Sequence, residues 1–257
     1  MRTVMTSSAQ GRSCTEQAGT TALAGVSSKA IHLLDSFRLT VDGRSIDLPH
    51  PAQRLLALLA IKRHPLLRSY VAGTLWPDNS EGRAAANLRS VLWRLRARGL
   101  LLVTPHNGTL ELADGVRVDL WENEAVAHRW LAGAEGDADR VGSSSDLTGE
   151  LLPDWYDEWV QGERESYRQL RLHALEIMAE RLASLGRWGD AVLAALAALS
   201  IDPLRESAHR AAIKVYVAEG NVAEAIRQLR RCERLMIEEV GVPPSTTLHD
   251  LIPALAG

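Results

Sequence analysis

The segment SEGRAAANLRSVLWRLRARG, residues 80–99, has the pattern of an amphipathic helix with a basic exposed face. At about 100° per residue its apolar side chains fall on one stripe, as the buried face of a helix requires. That stripe consists of Ala84, Leu88, Val91, Leu92 and Leu95. Asn79 or Ser80 is placed to cap the start of the helix, and Gly99 can take the left-handed conformation that ends it.

The other side of the same helix carries groups that suit the major groove of DNA. A stripe beside the apolar face holds Arg83, Asn87, Ser90 and Arg94, with Arg89 and Arg96 on the exposed side. Arginine contacts guanine edges and phosphates, asparagine contacts adenine, and serine can contact either base. The alternative is a solvated basic helix, and the segment alone does not decide between the two.

Composition and charge are those of a globular protein with two unlike parts. The 257 residues suit two domains of ordinary size, each expected to have its own core, with 46% hydrophobic and 24% charged residues overall. Residues 31–120 carry 12 Lys/Arg against 8 Asp/Glu, whereas residues 121–257 carry 14 against 23. A basic module joined to an acidic one indicates a polyanion partner for the first and a different partner for the second.

Other features of the chain argue against a membrane, metal or catalytic role. The longest apolar runs are too short to span a bilayer, and the start lacks the apolar core of a signal peptide, so we expect a cytoplasmic protein. The two cysteines, Cys14 and Cys232, indicate neither a disulfide framework nor a metal site, and the eight histidines show no metal-ligand spacing. No phosphate-binding loop, dinucleotide motif or H-E-x-x-H occurs. We therefore expect no enzyme activity, catalytic residue, cofactor or metal.

The order of elements up to residue 120 predicts a winged helix over residues 31–120, after a disordered tail at 1–30. Alternation at Phe37, Leu39 and Val41, with a turn at 42–43, predicts a small sheet. Helices follow from about residue 51, at 68–75 and at 80–99. Strands at 101–104 and 109–112 flank an Asn-Gly turn, the wing, and a further strand covers 116–120.

Residues 121–257 read as an all-α domain. Helices are expected at 122–131 and 154–185, with a polar connection at 133–149 between them. Gly-Arg-Trp-Gly-Asp-Ala at 186–191 is echoed by Gly-Asn-Val-Ala-Glu-Ala at 220–225, a spacing of 34 residues that is typical of tetratricopeptide repeats. The fold class is therefore mainly α, with a winged helix-turn-helix followed by a tetratricopeptide-like helical domain. Trp155, Trp159 and Trp188 are expected to be packing anchors.

In five segments the chain resembles the Streptomyces antibiotic regulatory protein (SARP) family of activators. These segments are TLWPD (74–78), ANLRSVLWRLR (86–96), VDL (118–120), LLPDWYDEWVQGERE (151–165) and IDPLRESAHR (201–210). The resemblance covers about residues 31–255. It implies an OmpR/PhoB-type winged helix followed by a bacterial transcriptional activator domain.

The resemblance also assigns roles to single residues. Arg94 matches a base-contacting arginine, Arg96 a backbone-contacting one and Arg68 a phosphate contact, while Trp76 matches an aromatic residue before the reading helix. Trp93 departs from the family, most of whose members carry a small or polar residue there. Our candidate DNA-binding residues are Arg68, Trp76, Arg83, Asn87, Arg89, Ser90, Trp93, Arg94, Arg96 and, in the wing turn, Asn107.

We interpret the chain as a sequence-specific activator of transcription that serves a secondary-metabolite (antibiotic) biosynthetic cluster. The family implies promoter direct repeats in double-stranded DNA, two protomers side by side, and contacts to RNA polymerase and its sigma factor. Two alternatives stay open. One is a protein-interaction adaptor in which the repeat domain binds a partner, and the other is a repressor that responds to a small ligand.

Overall fold

The computed structural model describes residues 28–133 and 143–252. The expected tail at 1–30 lies outside the described residues as far as residue 27, and the first strand already begins at Lys29. Within the described ranges, no helix is both long and apolar enough to cross a membrane.

The chain opens with a sheet that is completed from a distant segment. Strands β1 (Lys29–His32), β2 (Arg38–Val41) and β3 (Arg44–Ile46) are antiparallel, and β7 (Val116–Val118) adds to β1 in parallel. The turn between β2 and β3 has φ of +50° at Asp42 and +75° at Gly43, the left-handed pair that a tight hairpin requires. The parallel pairing joins residues more than 80 positions apart, so no local pattern predicts it.

Three helices follow and share one hydrophobic core with this sheet. Helix α1 (His50–Lys62) is buried almost all round and ends at Arg63, whose left-handed φ of +56° stops it before His64-Pro65. Helix α2 spans Arg68–Leu75 and helix α3 spans Glu81–Ala97.

The wing is a second, three-stranded sheet. Strands β5 (Val103–His106) and β6 (Thr109–Leu112) form the predicted hairpin, with left-handed residues at Asn107 and Gly108. A short strand that the sequence did not predict, β4 (Leu66–Leu67), pairs with β6 and precedes α2 directly. The wing is thereby connected to the start of α2.

The remaining elements are helical. They are α4 (Asp119–Ala132), a 3₁₀ turn (Ser144–Leu147), α5 (Glu158–Ser184), α6 (Trp188–Ile201), α7 (Glu206–Glu219), α8 (Val222–Leu235), a π turn (Met236–Val240) and a 3₁₀ segment (Thr246–Leu251). Helix α4 begins three residues earlier than expected. Helix α5 begins four residues later than residue 154, because the chain before it is irregular, with φ of +43° at Leu152.

The repeat predicted from the sequence appears as matched helices. Helices α6 and α8 are each 14 residues long, and their first residues, 188 and 222, are 34 positions apart. Ala191 and Ala225 occupy equivalent positions and are both fully buried, as is Cys232, the counterpart of Ala198. Small side chains at these positions allow the paired helices to approach closely.

The hydrophobic core does not divide at residue 120. One cluster combines the buried residues of the winged helix with Leu151, Leu152, Val160 and Tyr167. A second cluster fills the space between α4, α5, α6 and α7. The expectation of separate cores for the two modules is therefore wrong, because the start of α5 and the segment before it complete the first core.

Candidate nucleic-acid interface

Helix α3 buries one face and exposes its arginines on the other. Ala84, Leu88, Val91 and Leu95 are at most 6% exposed, and Leu92 is partly buried. The exposed side carries Arg83, Arg89, Arg94 and Arg96. The wheel drawn from the sequence thus predicts the correct orientation of the helix, because burial against α1 and α2 requires the apolar stripe to face inward.

These four arginines have no partner within the described residues. None of their guanidinium groups makes a hydrogen bond or an ion pair there, so no acid neutralises Arg94. Arg98 differs, because its Nη1 donates to the carbonyl of Asp47 at 2.8 Å and ties the end of α3 to the loop before α1. The free arginines of α3 are therefore available to an external anion, whereas Arg98 has a structural contact.

The ends of α3 agree with the prediction only in part. Ser80 occupies the N-cap position but its side chain makes no capping hydrogen bond, so the expected side-chain cap is wrong. The first turn is instead held by the Ala84 N–H, which donates to the Ser80 carbonyl at 2.9 Å, with Glu81 near the positive end of the helix dipole. Gly99 takes the predicted left-handed conformation, with φ of +73°.

The two small polar candidates on α3 differ in their freedom to read a base. Asn87 is half-buried, and its amide makes no hydrogen bond within the part of the chain that the structure describes. The hydroxyl of Ser90 donates to the carbonyl of Ala86 at 3.0 Å, one turn earlier in the helix. Ser90 can therefore accept a hydrogen bond from a ligand, but its proton is already used within the helix.

Trp93 stands between two grooves and is 71% exposed. On one side lies a cleft of about 240 Å³ between α3 and the wing, which Arg68, Arg89 and Arg96 also line. On the other side a cleft of about 290 Å³ is lined by Trp93, Arg94 and the loop before α1. Trp93 borders the wing but is not buried against it, so most of its indole is free to contact a partner.

The start of α2 is held by the wing rather than by a cap. Leu67 occupies the N-cap position and makes no side-chain cap, but it pairs with Thr109 of β6, and the Arg68 N–H donates to the Gly108 carbonyl at 3.1 Å. The half-exposed Arg68 thereby lies in the α3–wing cleft, and the unpredicted strand β4 replaces the missing cap.

The last two candidates have structural contacts. Trp76 follows α2 directly and is partly buried against the first core, which favours packing over contact with a ligand. Asn107 is exposed in the wing turn, where its Nδ2 lies 3.0 Å from Nε2 of His106. Leu101, which is 60% exposed and lines the α3–wing cleft, is not among the candidates, because the sequence placed it in a strand at 101–104, whereas β5 begins at Val103.

The C-terminal end of α1 contacts the helical module. Lys62 Nζ donates to Glu163 at 2.7 Å, and Arg63 pairs with Glu124. Burial lowers the pKa of Arg63 and raises the pKa of Glu124. Trp121 Nε1 donates to the Ala60 carbonyl at 2.7 Å. These contacts join residues about 60 to 100 positions apart and had no signal in the sequence.

Comparisons with known proteins agree with this architecture. The profile of the family described as "Bacterial transcriptional activator domain" matches residues 119–255. Among solved structures, the chain is similar to Mycobacterium tuberculosis EmbR in complex with a low-affinity phosphopeptide, with a TM-score of 0.69 and 21% sequence identity. The match covers 90% of this chain and 65% of that one, so the chain spans about two-thirds of the solved protein. At that identity the likeness shows the fold. No curated protein sequence matches the chain significantly.

Proposed function

The chain belongs to the bacterial transcriptional activator domain family, as its sequence motifs indicated, and from that premise we propose that it is a sequence-specific DNA-binding activator of transcription. The observation that carries this proposal is the exposed face of α3. Four arginines lie there without an acidic partner in the described residues, on a helix whose opposite face is buried in the core. A cationic face on a packed helix suits a polyanion.

In the proposed complex, α3 lies in the major groove and the wing lies over the adjacent backbone. Arg94 and Asn87 contact base edges, while Arg96 contacts the backbone. Arg68 and Arg89, on the walls of the α3–wing cleft, bind phosphates on either side of Trp93. Phosphate contacts of this kind fix the register of the protein on the duplex, and base contacts supply the sequence preference.

We also propose the finer features that the family resemblance implies. Two protomers bind side by side on promoter direct repeats, as a homodimer on DNA, and contact RNA polymerase and its sigma factor. The acidic helical module provides the protomer or polymerase contacts, and the regulated genes belong to a biosynthetic cluster. The protein would then act in the cytoplasm, at the nucleoid. The −9 balance of residues 121–257 (14 Lys/Arg, 23 Asp/Glu) supports a protein rather than a nucleic-acid partner for this module.

An adaptor role is the second candidate, and one feature of α6 favours it. Leu193 and Leu196 are 59% and 39% exposed on the outer side of that helix, where a partner protein could cover them. In this alternative the helical module binds the partner and the winged helix is only a scaffold. It predicts weak DNA binding that modest salt abolishes.

The test is a selection of bound duplexes from genomic fragments with the full chain, followed by fluorescence anisotropy on the enriched sequence at several salt concentrations. We expect a preferred duplex. The logarithm of its binding constant should fall linearly with the logarithm of the salt concentration, because neutralised phosphates release counterions. Arg94→Ala should weaken binding to that duplex. Arg230→Ala is the matched control, since Arg230 is also exposed and unpaired in the described residues but lies on α8. Failure to enrich any sequence would favour the adaptor.

A further inference from the structure

A cleft at the junction of the two modules is separate from the proposed DNA interface. It has a volume of about 580 Å³ and lies between the loop that contains Asp35, the Gly149–Glu150 segment, one face of α5 and the end of α6. Three arginines of α5, Arg164, Arg168 and Arg171, line it. A cleft of this size accommodates a small metabolite.

Arg171 is the buried cation of this cleft. The residue is only 8% exposed, and its Nε donates to the carbonyl of Leu147 at 2.8 Å. Its guanidinium stacks on the ring of Tyr167, with 5.4 Å from Cζ to the ring centroid. Neither Nη makes a hydrogen bond or an ion pair within the described residues, so both can pair with a ligand in the cleft that Arg171 lines.

The other charges around the cleft already have partners. Arg168 binds Glu165 at 2.8 Å and Asp202 at 3.0 Å. Arg164 donates to backbone carbonyls of the 151–155 segment and lies 3.7 Å from the Glu150 carboxylate. Among the arginines that line this cleft, Arg171 alone has no carboxylate within ion-pair distance in the described part of the chain.

The acids on the rim face the same space without contacting Arg171. Asp35 accepts the backbone N–H of Glu150 at 3.0 Å, and Glu150 itself is more than half exposed. Burial lowers the pKa of Arg171, and the charges of Asp35 and Glu150 oppose that shift from a distance. A ligand bound at Arg171 therefore lies near carboxylates, which accept hydrogen bonds but repel a second negative charge.

We propose that this cleft binds a small organic anion whose phosphate or carboxylate group pairs with the Nη atoms of Arg171 and whose hydroxyl or amine groups donate to Asp35 and Glu150. A planar guanidinium with two free N–H groups on one edge matches both anion types. Because Asp35 belongs to the winged helix and Arg171 to the helical module, an occupied cleft links the two parts of the chain.

The test uses the full chain with inorganic phosphate and with acetate as probes, each titrated against sodium chloride of equal ionic strength. Equilibrium dialysis should show saturable binding at one site, and the thermal melting temperature should rise with ligand concentration. Arg171→Gln should weaken binding roughly tenfold or more, because it removes the charged partner. Arg210→Gln is the control, since Arg210 pairs with Glu206 on α7, away from the cleft, and should leave binding unchanged.

A second variant keeps the proposal testable if Arg171→Gln does not fold. Glu150→Gln removes an exposed negative charge from the rim, so phosphate should bind roughly twofold or more tightly. Preference for phosphate or for acetate identifies the kind of anion. The proposal is overturned if neither anion binds saturably above chloride, if Arg171→Gln binds as the parent does, or if Glu150→Gln leaves the phosphate affinity unchanged. None of these results depends on DNA binding.

Discussion

Arg54 of α1 binds the last residue of α2 and the N-cap residue of α5 at the same time. One Nη donates to the Leu75 carbonyl at 2.7 Å, and the other pairs with the carboxylate of Asp157. Both charged side chains are less than one-fifth exposed. Because Leu75 directly precedes Trp76 and the loop to α3, this one side chain connects the helical module to the segment that leads into α3.

Breaking this ion pair should destabilise the whole chain. Asp157→Asn leaves the Arg54 guanidinium largely buried without its counter-charge, and we expect a loss of about 1–3 kcal/mol in the free energy of unfolding. Urea unfolding followed by circular dichroism measures this loss. Glu122→Gln is the control, because the exposed Arg117–Glu122 pair at 4.0 Å should contribute almost nothing. Equal effects of the two substitutions would contradict the assigned role.

The winged helix should depend on residues of the second module for its stability. Leu151 is 1% exposed in the first core, so Leu151→Ala should cost about 2–5 kcal/mol. Hydrogen exchange should show the loss of protection in α1 as well as in α5. A fragment of residues 28–120, which lacks this part of the core, should bind DNA more weakly than the full chain. Unchanged protection in α1 would show that the modules are independent.

The repeat predicts a buried position at which a larger side chain does not fit. Ala191 is fully buried between paired helices, so Ala191→Trp should overpack the domain by about 1–3 kcal/mol or more. Thermal melting of the full chain measures the loss. Leu193→Trp is the control on the same helix, because Leu193 is 59% exposed and its replacement should leave the melting temperature nearly unchanged. A melt that is insensitive to Ala191→Trp would remove the assigned helix pairing.

Stability should fall as the pH drops below about 6.5 because of a buried histidine. His209 is 1% exposed, with Nε2 2.9 Å from the Pro203 carbonyl and Nδ1 2.7 Å from Gln228 Nε2. Burial lowers the pKa of His209 below its usual 6.5, so the unfolded chain binds this proton more readily. The contribution of neutral His209 to the free energy of unfolding is fully present above pH 6.5, and it is lost as the pH falls from 6.5 to the lowered pKa.

Unfolding free energies between pH 5 and pH 8 check this expectation. His209→Gln removes the titrating ring, so its stability should decline less steeply than that of the parent in the acidic half of this range. Parallel profiles for the two proteins would exclude His209 as the source of the slope.

Replacing the proposed base-contacting arginine and replacing the proposed phosphate-contacting arginine should affect DNA binding in different ways. Arg94→Ala should cost roughly 1–3 kcal/mol on the preferred duplex and relax the preference at one base pair, since a base contact is lost. Arg68→Ala should weaken preferred and unrelated duplexes alike and reduce the salt dependence, since a phosphate contact is lost. Anisotropy with a panel of single base-pair changes separates the two patterns. If both variants lose the same affinity on every duplex, the proposed orientation of α3 on DNA is wrong.

The periodic elements were predictable because the spacing of residues within each short segment shows which side is buried and where the chain turns. The apolar stripe of α3, the left-handed turn at Asn107-Gly108 and the 34-residue repeat of α6 and α8 all appear where the sequence places them. The capping of α3 and the starts of α4 and α5 were wrong, because helix ends depend on contacts that lie outside the helix. The assignment of the DNA-binding residues and the boundaries at 30 and 120 stay predictions.

The amino-acid sequence by itself determined the order of elements, the inward and outward faces of α3 and the family motifs, since these depend on spacing and on side-chain chemistry. Only the tertiary structure decided that β4 holds α2 to the wing and that Leu151 and Val160 complete the first core. It also decided that, among the arginines lining the junction cleft, Arg171 makes no ion pair with an acid of the described residues. These features arise from pairs far apart along the chain. Such contacts depend on how helices and sheets pack in space, which no local pattern encodes.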